Sequence, residues 1–536
     1  MSQVSVSNDE RIDALLTTFK WGSVIGESAQ LSFSFPVPGS SWVSDYQGGE
    51  PFAPNTFSPL NAAQQQGVRE NLLLWSQVAN ITFTEVDDLV TQGDLRFTYS
   101  SAVDNTEGAA AWAYVPPITS TVPESGDVWL SQESVSDVSL GSYGFLVLMH
   151  EIGHALGLKH PFSQQSQNVV TLPVAEDTTQ YTVMSYTDYS GVGWSREGET
   201  ALFSSVNNTT PMPYDILAIQ YLYGANSSFN TGNDIYTFSN DIADFKTIWD
   251  AGGTDTFDLS NQTKTVVIDL NAGAFSSVGP MNYELVSGFI ESSTKLAVNN
   301  IAIAFGVDIE NVIGGNGGDH LTGNDLANNL TGMSGNDILI GGEGTDTAMY
   351  LGNKSDYQIT TLTTGLQVTS LNTDEGVDTL LGIERLQFVD QLIDAAAFSV
   401  IPTTAAEVDI TPSERDVNHI NYFLLQINSA LTIDVSADYT TVEGTAKAGE
   451  DYLTALGTAT IVAGETSTVV GVEIIGDNIH EIDETFFLAI SNPTGLSFPV
   501  GVTEITASRT IIDDDLEVSS HLSDIQIIGL ESIVPV

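Results

Sequence analysis

Residues 314–349 read as four consecutive nine-residue units: GGNGGDHLT (314–322), GNDLANNLT (323–331), GMSGNDILI (332–340) and GGEGTDTAM (341–349). Position six holds Asp319, Asn328, Asp337 and Asp346, and position eight holds Leu321, Leu330, Leu339 and Ala348. A unit this short cannot bury its apolar residue alone, so the units must stack. With two units per coil, equivalent turns lie 18 residues apart. The glycines, among them Gly315, Gly317, Gly332, Gly342 and Gly344, permit tight turns. Position-six carboxylates and main-chain carbonyls from successive turns then form the all-oxygen ligand set that Ca²⁺ takes. Asn328 offers only a neutral amide oxygen, a weaker ligand. No Lys or Arg lies between Lys295 and Lys354, so these turns have no internal counter-charge.

The same imbalance runs through the chain: 14 basic against 69 acidic residues, a net charge of −55. That excludes a grip on nucleic-acid phosphates and adsorption to an anionic membrane. It fits calcium loading and a saline habitat equally. With 42% hydrophobic and only 15% charged residues, the chain has material for packed cores rather than disorder. Cysteine is absent, which excludes disulfides, thiolate metal sites and a Cys nucleophile. No apolar run reaches the roughly 18 residues of a membrane span, and residues 1–19 lack the basic-then-apolar order of a cleaved signal.

The sharpest chemistry lies in His150-Glu151-Ile152-Gly153-His154-Ala155-Leu156-Gly157-Leu158-Lys159-His160. The apolar pattern over 143–156 predicts a helix, and residues four apart share one face, so His150 and His154 address one ion. Gly157 suits the left-handed position that ends a helix, and the reversal brings back His160 as third ligand. Three neutral ligands leave a fourth position for water, the mark of a catalytic rather than structural zinc. Glu151, one step round the helix, is placed to take a proton from that water. Elsewhere in this half, 61–75 reads as a helix carrying Val68, Leu72 and Trp75, and 81–86 and 94–98 alternate as half-buried strands.

With this motif and YTVMSY (181–186), the chain resembles the serralysin branch of the metzincin metalloproteases. KWG (20–22), LLLWSQVANITFTEV (72–86), GDVWL (126–130), TPMPYDILAIQYLYGAN (210–226) and IWDAGGTDTFDLS (248–260) extend the likeness over most of residues 10–400. The resemblance implies that Met184 floors the zinc histidines and that Tyr186 is an additional, movable zinc ligand. It implies that GDVWL lies where metzincins hold an extended peptide on an edge strand. It also implies calcium positions ahead of the repeats: Asp250, Gly252, Gly253 and Asp255; Asp308 with Glu310; and Asn230, Gly232 and Asp234, where serralysins usually carry an Arg that this chain lacks.

Residues 405–515 resemble a Calx-β domain through VEGTAKAGEDY (442–452), VEIIGDNIHEIDETFFLAISNPTG (472–495) and TIIDDD (510–515). Asp451, Asp477, Glu484, Asp513, Asp514 and Asp515 offer a carboxylate cluster there, read either as a calcium site or as a solvated acidic end. Gly476 stands where calcium-sensing members have an acidic residue.

The expected architecture is an N-terminal segment (1–20, a candidate short propeptide), then an α+β metzincin catalytic domain (21–229). An all-β parallel β-roll of RTX repeats (230–400), an all-β Calx-β sandwich (401–515) and a tail (516–536, a candidate secretion signal) follow. The expected function is a secreted, monomeric zinc endopeptidase acting on extracellular proteins or peptides. It would hold one catalytic Zn²⁺ and several structural Ca²⁺, and be exported by a type I secretion apparatus. The alternative from another class is a non-catalytic calcium-dependent adhesin or matrix protein on a vestigial protease fold. Retention of Glu151 and Tyr186 argues against it.

Overall fold

A computed structural model describes residues 4–511 apart from 23, 43–55, 107–108, 118–123, 190–194, 198–199, 204–205, 286–291, 363–364, 373, 395–418, 428–433, 464–466, 477–483 and 495–503. Two compact units emerge, 1–360 with 366–397, and 361–365 with 398–536. No helix among the described residues is long and apolar enough to cross a membrane.

The first unit opens with α1 (Glu10–Asp13) and a sheet of β1 (Ala29–Ser34), β2 (Phe57–Ser58), β3 (Ile81–Glu85), β4 (Leu95–Ser100), β5 (Ala111–Ala113) and β6 (Asp127–Leu130). The order is β3-β1-β4-β6-β5, with β2 on β4. β5 runs antiparallel to β6, whereas β1, β3, β4 and β6 are mutually parallel. The alternation over 94–98 predicts a half-buried strand, yet all six residues of β4 are buried. As a central parallel strand β4 is covered on both faces, which periodicity does not reveal. α2 (Ala62–Val78) starts on a capping box: Asn61 Oδ1 accepts from the Ala63 and Gln64 N–H groups, and Gln64 Oε1 accepts from the Asn61 N–H. It buries Val68, Leu72 and Trp75. α3 (Ser101–Asp104) is a single turn. α4 (Tyr143–Leu156) is capped by Ser142 and ends at Gly157 with φ of +115°. α5 (Pro213–Tyr223) begins with proline in its first turn.

Beyond α5 the chain winds into parallel strands. Ile235–Thr237, Thr256–Asp258, Asn311–Ile313, Asn329–Thr331, Thr347–Met349 and Arg385–Gln387 pair in that order. Val267–Asp269, His320–Thr322, Ile338–Ile340 and Val377–Leu381 form a second parallel row. Asn311 pairs with Asn329, His320 with Ile338 and Asn329 with Thr347, a stagger of 18 residues each time. The position-eight residues Leu321, Leu330, Leu339 and Ala348 are all 0% exposed.

A boundary at 229/230 does not divide compact bodies. One hydrophobic core runs from Ala14 to Phe388. The segment before α5 is stitched to the strands beyond it: Thr209 N–H donates to Phe245 O (2.8 Å), and Tyr181 packs edge-on to Phe275 at 5.4 Å. Residues 4–20 are likewise packed in, with Ala14, Leu15 and Leu16 buried in that core.

In the second unit, His419–Gln426 pairs antiparallel with Ser467–Ile474. Leu456–Ile461, Val435–Glu443, Glu484–Thr494 and Glu504–Ile511 form an antiparallel four-stranded sheet. Phe423 and Val472 from one sheet meet Phe486 and Leu488 from the other in a single core, with Tyr452 stacked on Phe486.

Candidate functional site

α4 sets His150 and His154 one turn apart, and the left-handed Gly157 turns the chain back so that His160 faces both. A Cβ on Gly157 would meet Phe19 O at 2.8 Å, so only glycine fits. His150 Nδ1 bonds Val183 O (2.7 Å) and His154 Nδ1 bonds Leu158 O (2.9 Å). A carbonyl only accepts, so each Nδ1 carries the hydrogen and each Nε2 is a lone pair. His160 Nε2 lies 3.2 Å from His150 Nε2 and 3.0 Å from His154 Nε2. Burial holds all three imidazoles neutral: His150 well below its usual range, His154 at about 4 and His160 at about 3. With the lone pairs of His150 and His154 Nε2 aimed at Nε2 of a neutral His160, this arrangement fits one cation of the zinc type.

Glu151 is buried beside them. Burial pushes its carboxyl up to about 8, and Oε2 has no hydrogen-bond partner among the described residues. A dication alongside would draw it back towards the ionised form. Tyr186 is 70% exposed, with its ring 4.5 Å from that of His160 and 5.6 Å from that of His150. Burial of its hydroxyl and the nearby Glu151 raise its pKa, so it stays a phenol donor near neutrality. Met184 is fully buried beneath α4: a Cβ on Gly153 would meet its Sδ at 2.6 Å.

Sequence reasoning missed Asp215. Its carboxylate accepts from Thr182 Oγ1 (2.6 Å), Val183 N–H (2.7 Å) and Met212 N–H (2.9 Å). It therefore fixes the 182–184 turn and, through Val183 O, the His150 ring. Only the bond to Met212, a helix-start cap, had a local signal. The peptide edge also differs from expectation. β6, which carries GDVWL, is paired on both sides, by β4 and by β5. Among the described residues the sheet ends at β3 on one side and at β5, Ala111–Ala113, on the other.

A second set of donors lines the parallel strands. Asp234, Asp250 and Asp255 each bring a carboxylate oxygen within 4.8 Å of one another. Gly253 lies tight against them, for a Cβ there would meet Gly232 O at 1.7 Å. Gly252 N–H donates to Asp250 Oδ1, and Asp255 N–H to Glu310 Oε2. Asn230 instead donates to the Tyr236 hydroxyl, and Asp308 is exposed, outside this group.

From there two ladders climb the stack. Along one, Asn328 N–H donates to Asp346 Oδ1 and Asp346 N–H to Glu384 Oε2, each at 2.8 Å. Along the other, Val266 N–H donates to Asp319 (2.8 Å), Asp319 N–H to Asp337 (2.7 Å) and Asp337 N–H to Asp378 (3.1 Å). Gly315 N–H donates to Asp319 Oδ2, Gly317, Gly342 and Gly344 leave room where successive turns touch, and Gly332 leaves room for the Asp337 carboxylate of its own turn. Asp255, Asp337 and Asp346 each keep a buried Oδ2 with no hydrogen-bond partner among the described residues. Burial raises these carboxyls, to about 6, 8 and 7, which fits cations between the turns. At Asn328, by contrast, Oδ1 accepts from Asn324 N–H and Nδ2 donates to Glu310 O. Asp378 and Glu384 were missed, although Asp378-Thr379-Leu380 and Glu384-Arg385-Leu386 keep the acid-x-leucine of positions six to eight. Of the glycine frame each keeps only position four, Gly376 and Gly382, both with positive φ.

In the second unit Asp451 Oδ2 accepts from Lys447 N–H (2.6 Å), and Glu484 begins its strand half-buried. Asp477, Asp513, Asp514, Asp515 and the 516–536 tail lie outside the described residues.

Three family models match successive parts of the chain. Residues 53–194 match the Matrixin family model, 214–417 the Peptidase M10 serralysin C-terminal model and 410–515 the Calx-beta domain model. The chain is 36% identical over 340 residues to a serralysin of Proteus mirabilis, covering 59% of this chain and 63% of that protein. It is 35% identical over 329 residues to serralysin B of Dickeya chrysanthemi, covering 57% and 61%. Metalloprotease AprA of Pseudomonas entomophila is 36% identical over 295 residues, covering 51% and 56%. The chain thus spans less than two thirds of the length of each of these relatives.

Proposed function

We propose that this chain, which joins a matrixin segment and a serralysin C-terminal segment to a Calx-beta segment, is a secreted zinc endopeptidase whose β-roll is held by calcium. The observation that carries the reading is the convergence of three neutral imidazole nitrogens beside a buried carboxylate with an unpartnered oxygen. His150, His154 and His160 would hold the zinc, with Tyr186 as an additional, movable ligand. When bound, zinc supplies Lewis acidity that polarises a peptide carbonyl and acidifies water. Glu151 takes the proton of the attacking water and returns it to the leaving amine, a role suited to a carboxylate whose pKa is tuned towards neutrality. Tyr186, a protonated phenol on an exposed side chain, donates to the oxygen that gains charge as the carbonyl becomes tetrahedral. The edge strand β5 offers main-chain groups along which an extended peptide can lie.

The ladder carboxylates would bind Ca²⁺ between successive turns, and the strands would then close into a β-roll. Such sites load outside the cell, where calcium is abundant, which fits export through a type I apparatus as an extended chain. Hydrolysis of casein with and without a metal chelator tests the function. Unchanged hydrolysis in chelator, or none in zinc and calcium, would sink it. The adhesin reading has no observation in its favour, since the proton-handling Glu151 and Tyr186 are both in place.

A further inference from the structure

We infer that Lys159 is a positioning residue for the third imidazole, and that residues 13–21, which it grips, belong to the support of the zinc site. This rests on the zinc reading above. His160 sits on a turn after the end of α4, where no helical hydrogen bond holds it. The last carbonyls of a helix lack internal partners. Here Trp21 Nε1–H donates to Ala155 O (2.7 Å) and the Tyr223 hydroxyl to Leu156 O (2.6 Å). Thr17 gives its N–H (2.9 Å) and its hydroxyl (2.7 Å) to Gly157 O. Lys159 N–H returns a bond to Leu15 O (2.7 Å), and Leu16 bridges Leu158 antiparallel.

The Lys159 side chain completes the clamp. It is 2% exposed, and its ammonium donates to Ala14 O (2.5 Å), Ser163 O (2.8 Å) and Val170 O (2.8 Å). Three donors meet three carbonyls on three separate segments, which exhausts the group's capacity. Asn168 Nδ2 adds bonds to Asp13 O (2.7 Å) and Leu16 O (2.9 Å). His160 is therefore tied on both sides, by residue 159 to the N-terminal segment and by Ser163 to the lysine itself. A buried ammonium facing carbonyls alone is an expensive anchor. Its charge also opposes a cation at His160, so what it contributes to the metal must be geometry. The two effects have opposite signs, which makes them separable.

The test uses the full chain in calcium. Zinc affinity is read by chelator competition, and circular dichroism and the melting temperature are read on the zinc-free protein. Lys159→Met, which keeps the stem and removes the donors, should weaken zinc binding by roughly 10–100-fold, the range for lost support of a metal ligand. It should also alter the visible spectrum of the cobalt-loaded protein. Asn168→Leu, which leaves the lysine in place, should weaken zinc in the same direction by less, and carries the test should Lys159→Met not fold. Unchanged or tighter zinc in the folded variants would overturn the inference, as would an unchanged cobalt spectrum with only a lower melting temperature. A parent chain that binds no zinc would instead refute the zinc reading on which it stands.

Discussion

In the imidazole cluster at the end of α4, His150 and His154 each bond a backbone carbonyl through Nδ1, and their Nε2 lone pairs face Nε2 of the neutral His160. Along the stacked strands, Asp337 and Asp346 each hold a buried carboxylate oxygen with no hydrogen-bond partner among the described residues, and burial raises their pKa values to about 8 and 7. The ligands of the first region are uncharged imidazoles, two of them tied to backbone carbonyls, with Glu151 as the buried carboxyl beside them. The second stacks carboxyls on adjacent turns, where burial strips them of water and their like charges add to the cost. On the reading proposed above, zinc would be a reagent added to a finished fold, while calcium would be part of the folding energy.

The largest expected effect breaks this comparison most directly. A calcium-selective chelator should abolish most strand signal in circular dichroism and lower the melting temperature steeply, while a zinc-selective chelator should leave both nearly unchanged. Equal losses under the two chelators would erase the distinction. Next, Glu151→Ala should lower kcat by roughly 10²–10⁴, the usual worth of a positioned acid–base group. It should retain one zinc per chain, and it should raise the melting temperature of the zinc-free protein by removing a buried acid whose pKa stands at about 8. Turnover at the parental rate would dismiss Glu151 as the base. Tyr186→Phe should lower kcat by up to roughly 10²–10³ and move KM little, since one oxyanion donor is lost while the scaffold stays. A change confined to KM would make Tyr186 a binding residue.

The smallest effect is a pH slope, and it sharpens the contrast. Asp337, Asp346 and Asp378 have folded pKa values of about 8, 7 and 7 against an ordinary 3.8. Between pH 8 and 6.5 the folded form therefore binds more protons than the unfolded one, so stability rises as pH falls. Each such carboxyl contributes about 1.4 kcal/mol per pH unit once protonated in the fold alone. Below 6.5 the three histidines, with depressed pKa values, act in the opposite sense. In calcium chelator, strand signal should thus grow on acidification from pH 8 to 6.5, and with calcium bound that gain should vanish. A gain of the same size in both conditions would show that the ladders do not differ in charge from the rest of the fold.

The legible parts of this molecule share a short range. The eleven residues of the zinc motif needed only helical periodicity and one left-handed glycine to bring three imidazoles together. The 18-residue stagger of the repeats followed from two units per coil, and strand pairing shows the same interval. The half-buried strand expected at 94–98 failed because nothing within it records that other strands lie on both sides. GDVWL failed as the peptide edge for a related reason: an edge is a property of the sheet order, and beyond β6 it is β5 that occupies it.

The sequence by itself determined the chemistry: which side chains carry nitrogen and carboxylate donors, at which intervals, and in a chain with too few cations to neutralise them. Only the tertiary structure decided what holds those donors still. Asp215 reaches back 33 residues to Thr182, Lys159 reaches back 145 to Ala14, and Asp337 looks 41 residues ahead to Asp378. Those intervals obey no helix, strand or coil period. They arise because a buried donor or acceptor must find a partner somewhere, and in a packed core the nearest one is set by how segments pack, not by how far apart they lie along the chain.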